Sequence, residues 1–193
     1  MDISDELAYE KEIQLEMMKW HYNNLLNMEE DAEGKIEAGI NAVLEQLESF
    51  FMSSLEKQKQ QLKAPISYII ISFLRSYILL DDYKVRVDLY DGTYFLDRNE
   101  CSTEIDVAFI LDYMNQDIAH VIKTYINEQG ILPDYYVEQI KKYFIPIYEQ
   151  LLEKFFEGIV PKILELKGYE LLIKGQELKI FYGEYLDKNT QIF

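Results

Sequence analysis

The sequence predicts an α+β fold, predominantly α-helical, with long amphipathic helices around a buried central helix and a small antiparallel sheet from two β-hairpins. Three observations predict it. Apolar residues recur at helical spacing through most of the chain. Alternation with period two appears in two short stretches, each carrying a glycine turn. Between the helical arms lies an almost wholly apolar run, residues 66–80.

Residues 4–32 read as a first helix, with Ser4 or Asp5 as N-cap and Leu15, Met18, Tyr22 and Leu25 on one stripe. Gly34 ends it. A second helix is expected over 35–63, with Ile36, Ile40, Val43, Leu47 and Phe50 on its apolar face. Its last turns, EKQKQQLK, are polar all round and read as solvated helix or a short arm. The best domain boundary is therefore 57–63, separating an N-terminal helical pair (1–63) from an α+β body (64–193). One continuous domain over 1–193 is the other reading.

Residues 65–84, PISYIIISFLRSYILLDDYK, hold the apolar run. A membrane span needs about 20 apolar residues, and Arg75 interrupts this shorter stretch. The run therefore reads as a buried helix opened by Pro65, the post of the core. Arg75 must then reach a carboxylate or the solvent edge.

In 83–98 the period changes. Val85, Val87 and Leu89 alternate with polar residues, and Asp91-Gly92 suits a two-residue hairpin turn. That register pairs Leu89 with Tyr94, Val87 with Leu96 and Arg86 with Asp97. Thr103 with Asp106 resembles a capping box for a helix running to about Glu128. Pro133 opens another helix, with a kink expected at Pro146. Pro161 opens a last short one ending at Gly168. In YELLIKGQELKIFY a turn at Gly175-Gln176 predicts the second hairpin.

Charge bounds the function. The net charge is −16. Such a field repels nucleic acid and anionic lipid and favours cationic partners. The first 33 residues carry ten acids and two lysines, half of that charge. A lone cysteine, Cys101, and an acidic N-terminus without an apolar core point to a cytoplasmic protein. No catalytic motif, nucleophile elbow or phosphate-cradling loop is present, and no cofactor is indicated.

Candidate binding residues follow from residue type. The only arginines, Arg75, Arg86 and Arg98, fall in one window, where a planar fork suits a carboxylate or an anion. Internal pairing is the alternative: Arg86 with Asp97, and Arg75 with Asp81, Asp82 or a distant acid. Asp117 and His120 have i, i+3 spacing that suits either a local hydrogen bond or one arm of a metal site. Sixteen tyrosines, among them Tyr90, Tyr94 and Tyr185, add recognition-type surface.

The leading expectation is a non-enzymatic interaction or inhibitor module for a basic protein, contacted through Glu29, Glu30, Asp31 and Glu33. The alternative is a small-ligand or anion-binding domain, or an enzyme, with a pocket near Arg75 and the 84–98 hairpin (Arg86, Asp97, Arg98). A metal-binding helical protein using Asp117 and His120 is third. Homo-oligomerisation is left open.

Overall fold

The computed structural model describes Met18, Lys19, Tyr22 and residues 33–76, 80, 82–129 and 134–193. The expected helix over 4–32 lies outside the described residues except at Met18, Lys19 and Tyr22, which are helical and exposed. Among the described residues the fold is mixed α+β. The elements run α1 (Glu33–Lys59), β1 (Ile66–Phe73), β2 (Lys84–Tyr90), a 3-10 turn (Tyr94–Leu96), β3 (Ser102–Asp106), α2 (Ala108–Gln129), α3 (Asp134–Leu164), α4 (Lys167–Leu171), β4 (Lys174–Glu184) and β5 (Asn189–Gln191). Two compact units divide the chain. One is Met1–Glu37 with Phe109–Tyr148, and the other is Ala38–Ala108 with Glu149–Phe193. Residues 57–63 lie inside the second unit.

In the first unit, Ile110, Leu111, Met114, Ile118 and Val121 form the buried stripe of α2, and Ile140, Phe144, Ile145 and Tyr148 that of α3. The helix expected after Thr103 begins later, at Ala108, because Thr103 lies in β3. Asp106 Oδ1 accepts the Ala108 N–H at 2.8 Å, so Asp106 caps the helix itself. Helix α3 runs unbroken through Pro146 and through Pro161, which does not open a helix of its own. Pro146 and Pro161 are both exposed. On the exposed side of a helix a proline ring meets no packed neighbour, so the helix can continue past it.

The second unit is built on one five-stranded sheet of order β3-β2-β1-β4-β5. β1 pairs antiparallel with β2 and parallel with β4. Residues 66–73 of the apolar run are thus a central strand, not part of a buried helix, and this corrects the sequence reading. Ile66, Ile69, Ile70, Ile71 and Phe73 are all buried, so both faces of β1 are covered. A strand buried on both faces loses alternation and reads as a continuous apolar stretch, as a core helix does. Its β-branched isoleucines favour the strand. Each such side chain contributes about 1.5–3 kcal/mol on burial.

Neither expected hairpin forms. β2 pairs with β3, matching Val87 with Thr103 and Arg86 with Glu104. The Asp91-Gly92 segment closes on itself instead: Asp91 Oδ1 accepts from the Thr93 N–H at 2.7 Å and the Thr93 hydroxyl at 2.5 Å. Local side-chain bonds of this kind compete with a ladder. In the tail, β4 is one strand through Gly175. Its register to β1 slips between Ile66↔Lys174 and Tyr68↔Lys179. The glycine marks a bulge packed on Ser67, not a turn. β4 turns later, at 185–188, to meet β5.

One face of the sheet carries Ile69, Ile71, Phe73, Val85, Val87, Leu89, Ile105, Ile180 and Tyr182, all buried. Helices cover it. Ser54 of α1 lies 3.1 Å from Cys101 Sγ, the Tyr182 hydroxyl donates to the Glu149 carbonyl at 3.2 Å, and Phe156 stacks on Tyr182. The polar stretch 56–63 is mostly exposed, with Gln58 as a buried exception. Gln58 donates to the Ala64 and Ile173 carbonyls and accepts the Ile173 N–H. Lys63 is buried as well.

Candidate functional site on the outer sheet face

The opposite face holds the polar chemistry. Register places Tyr68, Ile70 and Ser72 of β1 beside Tyr90, Asp88 and Arg86 of β2. On the far side stand Lys179, Phe181 and Gly183 of β4, then Gln191 and Asn189 of β5. One row across the sheet therefore reads Glu104, Arg86, Ser72, Gly183, Asn189.

Arg86 is gripped by acids. Its Nε lies 2.9 Å from Asp88 Oδ2, and its Nη2 lies 2.8 Å from both Asp88 Oδ1 and Glu100 Oε1. The Asp88 bond, reinforced by Glu100 against the cost of burial, holds the guanidinium proton well above its usual range. Tyr185 lies under the guanidinium, 5.1 Å from ring centroid to Cζ, a cation–π contact. Burial and the Asp88 charge raise the Tyr90 phenol in turn.

Aromatic rings border the face. Tyr94 packs 4.7 Å from Tyr68, and Phe95 packs 5.4 Å from Tyr90. Tyr94 holds φ of 58° and Leu186, in the β4–β5 turn, 59°. Bulky residues in the left-handed region are strained, and such strain gathers at functional sites. Two buried oxygens here have no hydrogen-bond partner among the described residues: Ser72 Oγ and Asn189 Oδ1. They flank Gly183 in the row. A Cβ on Gly183 would collide with the Lys188 carbonyl and with Asn189 Oδ1, so the glycine is required by close approach.

The sequence-derived residues do not assemble into one pocket. Arg75 follows β1 and binds Glu184 Oε1 at 2.6 Å, with Glu149 at 3.9 Å: the distant-acid pairing. Asp97 does not pair with Arg86, a second correction. It lies 2.5 Å from Lys63 Nζ, each side chain only 1% exposed. Asp97 also accepts the Asp91 and Asn99 N–H groups, and Lys63 donates to the Asn99 carbonyl. Burial pushes the Asp97 carboxyl up, but Lys63 and the two amides outweigh it and hold it below its ordinary value. Arg98 is exposed. Glu29, Glu30 and Asp31 lie outside the described residues, and of Glu33 only the backbone, at the start of α1, is described.

In the first unit, Asp117 accepts the Tyr148 hydroxyl at 2.8 Å, and His120 Nε2 lies 3.4 Å from Thr124 Oγ1. Among the described residues no three His, Cys, Asp or Glu side chains gather as metal ligands, and no helix is long and apolar enough to cross a membrane. A groove of about 500 Å³ along α1 is lined by Asn41, Leu44, Glu45, Glu48, Ser49 and Leu166. Glu48 is occupied there by the Gly168 N–H, at 2.8 Å.

Sequence reasoning missed Ser72, Asp88, Gly183 and Asn189. The signal for Ser72 was present: one hydroxyl inside an otherwise apolar strand. Nothing local marked the others, because their roles depend on neighbours across the sheet. No family, no curated protein and no solved structure matches the chain.

Proposed function

We propose that the chain is a non-enzymatic interaction module for a basic protein partner, contacted through exposed carboxylates: Glu100 and Glu104 at the β2–β3 edge of the sheet and, elsewhere in the chain, the acids at 29–33. One observation carries the reading: the cations on the outer sheet face are already held by carboxylates. Lys84 lies 3.1 Å from Asp82 and 3.3 Å from Glu104, and Arg86 is held by Asp88 and Glu100. An anion would find its best arginine taken. With a net charge of −16, the field at the surface belongs to a cationic partner. The same field disfavours nucleic acid and anionic lipid, and suits a cytoplasmic setting.

Tyrosine rings beside carboxylates suit lysine and arginine side chains, and the Arg86–Tyr185 contact is an internal example. The test is titration of the labelled protein with a lysine-rich peptide at low and high salt. Association at low salt that weakens as salt rises, and weakens further in Glu100→Gln/Glu104→Gln, supports the reading. Absence of association at low salt removes it.

A further inference from the structure

The two edges of the sheet differ in charge and in cover. β3 carries Glu104 and Asp106, both exposed, and the Asp106 N–H already donates to Gln46 Oε1 of α1 at 3.1 Å. Edge strands commonly carry such charge or cover, because an open row of N–H and C=O groups templates pairing with another chain. β5, at the opposite edge, has neither. Asn189, Thr190 and Gln191 are uncharged, and Thr190 and Gln191 are exposed.

Register fixes which backbone groups of β5 point outward. The Glu184 N–H donates to the Lys188 carbonyl at 3.1 Å, and the Ile192 N–H to the Ile180 carbonyl at 2.9 Å. Between these bonds Tyr182 opposes Thr190. Bonded residues alternate in an antiparallel ladder, so Lys188, Thr190 and Ile192 turn their backbone groups to β4. The N–H and C=O groups of Asn189 and Gln191 therefore point away from the sheet, and among the described residues nothing bonds them.

We propose that β5 pairs antiparallel with β5 of a second copy of this chain, about a two-fold axis at Thr190, joining two five-stranded sheets into one. Asn189 of each copy exchanges main-chain hydrogen bonds with Gln191 of the other. Thr190 then faces its own counterpart in the close, non-hydrogen-bonded position, a favourable cross-strand pair. A two-fold axis sets like against like. Such pairing at β3 would oppose acid to acid, whereas at β5 no charge meets its copy. The net charge of −16 repels the copies at longer range, so salt strengthens the dimer. A basic partner is held more weakly as salt rises, so the two associations are told apart by sign.

The test is sedimentation velocity of the full chain over a concentration series at low and high salt. The protein should pass from monomer to dimer as concentration rises, and at lower concentration in high salt. Amide hydrogen exchange should slow at Asn189 and Gln191 as the dimer forms, and stay constant at Thr190, whose N–H is already bonded within the chain. Gln191→Pro removes an outward N–H from each copy, a change that edge strands accept, and should weaken the dimer about tenfold. Thr190→Glu sets like charges against each other across the axis and should weaken it at least as much. Circular dichroism checks the fold of both variants, and Thr190→Lys replaces either one that folds poorly. A monomer at millimolar protein in high salt, which would leave the edge to an extended segment of another protein, overturns the proposal. So does a dimer unchanged in either variant. Protection of the Asn189 and Gln191 amides already at high dilution also overturns it, because the same chain must then cover the edge. None of these results alters the lysine-rich peptide titration, so the two readings fail separately.

Discussion

Two ion pairs in the second unit, Lys63–Asp97 and Arg86–Asp88, show how alike charges can serve different ends. Both carboxylates are buried. Around Asp97 the bonding converges: Lys63 Nζ and two backbone N–H groups donate to it, and Lys63 also donates to the Asn99 carbonyl. That pair pins the 91–99 segment. Around Arg86 the bonding is open at one side. The guanidinium reaches the exposed Glu100, rests on Tyr185, and borders a row with two unpartnered oxygens. A pair with both partners shut in is a staple; one whose cation is partly exposed stands at the edge of the sheet.

Breaking the closed pair should do the most harm. Lys63→Ala leaves a buried carboxylate without its cation and should cost about 3–5 kcal/mol in urea unfolding. The open pair should yield less: Arg86→Ala should cost about 1–3 kcal/mol, because Asp88 loses its partner near a wetter edge. A cost at Arg86 as large as that at Lys63 would erase the distinction. Gly183→Ala should cost about 1–3 kcal/mol by overpacking against Lys188 and Asn189.

The closed pair also carries a pH response. The Asp97 carboxyl is held below its ordinary value, so its stabilisation is complete above the unfolded pKa, about 4, and fades as pH falls through the lower folded value. Acid titration of stability should therefore show a shallower loss in Asp97→Asn than in the parent protein. The smallest effect is expected at Leu186. It is exposed, with φ of 59°, so Leu186→Gly should raise stability by up to about 1 kcal/mol in thermal or urea unfolding. Destabilisation there would mean the turn conformation is set by the leucine side chain.

Legibility in the sequence varied with the reach of the forces involved. The helix expected to run to about Glu128 ends where it was read, although it starts at Ala108 and not directly after Thr103, because one turn of helix is specified by residues three and four apart. Val85, Val87 and Leu89 were rightly read as strand, but their partner was not. Asp91-Gly92 has the composition of a hairpin turn, yet Asp97 bonds the Asp91 N–H and is itself drawn to Lys63, far back in sequence. The Arg75 guanidinium was expected to find an acid. Which acid, Glu184, depended on β4 lying alongside β1.

The sequence by itself determined the acidity of the protein, the amphipathic helices, the strand character of β2, and the requirement that Arg75 reach a carboxylate or the solvent edge. These follow from composition and from spacing within one turn or one pleat. Only the tertiary structure decided that 66–73 is the middle strand of a sheet, that Asp97 belongs to Lys63, and that Ser72, Gly183 and Asn189 share a row. An apolar run can be buried as helix or strand alike. Which one wins is set by partners distant in the chain, whose backbone groups must be satisfied at the same time.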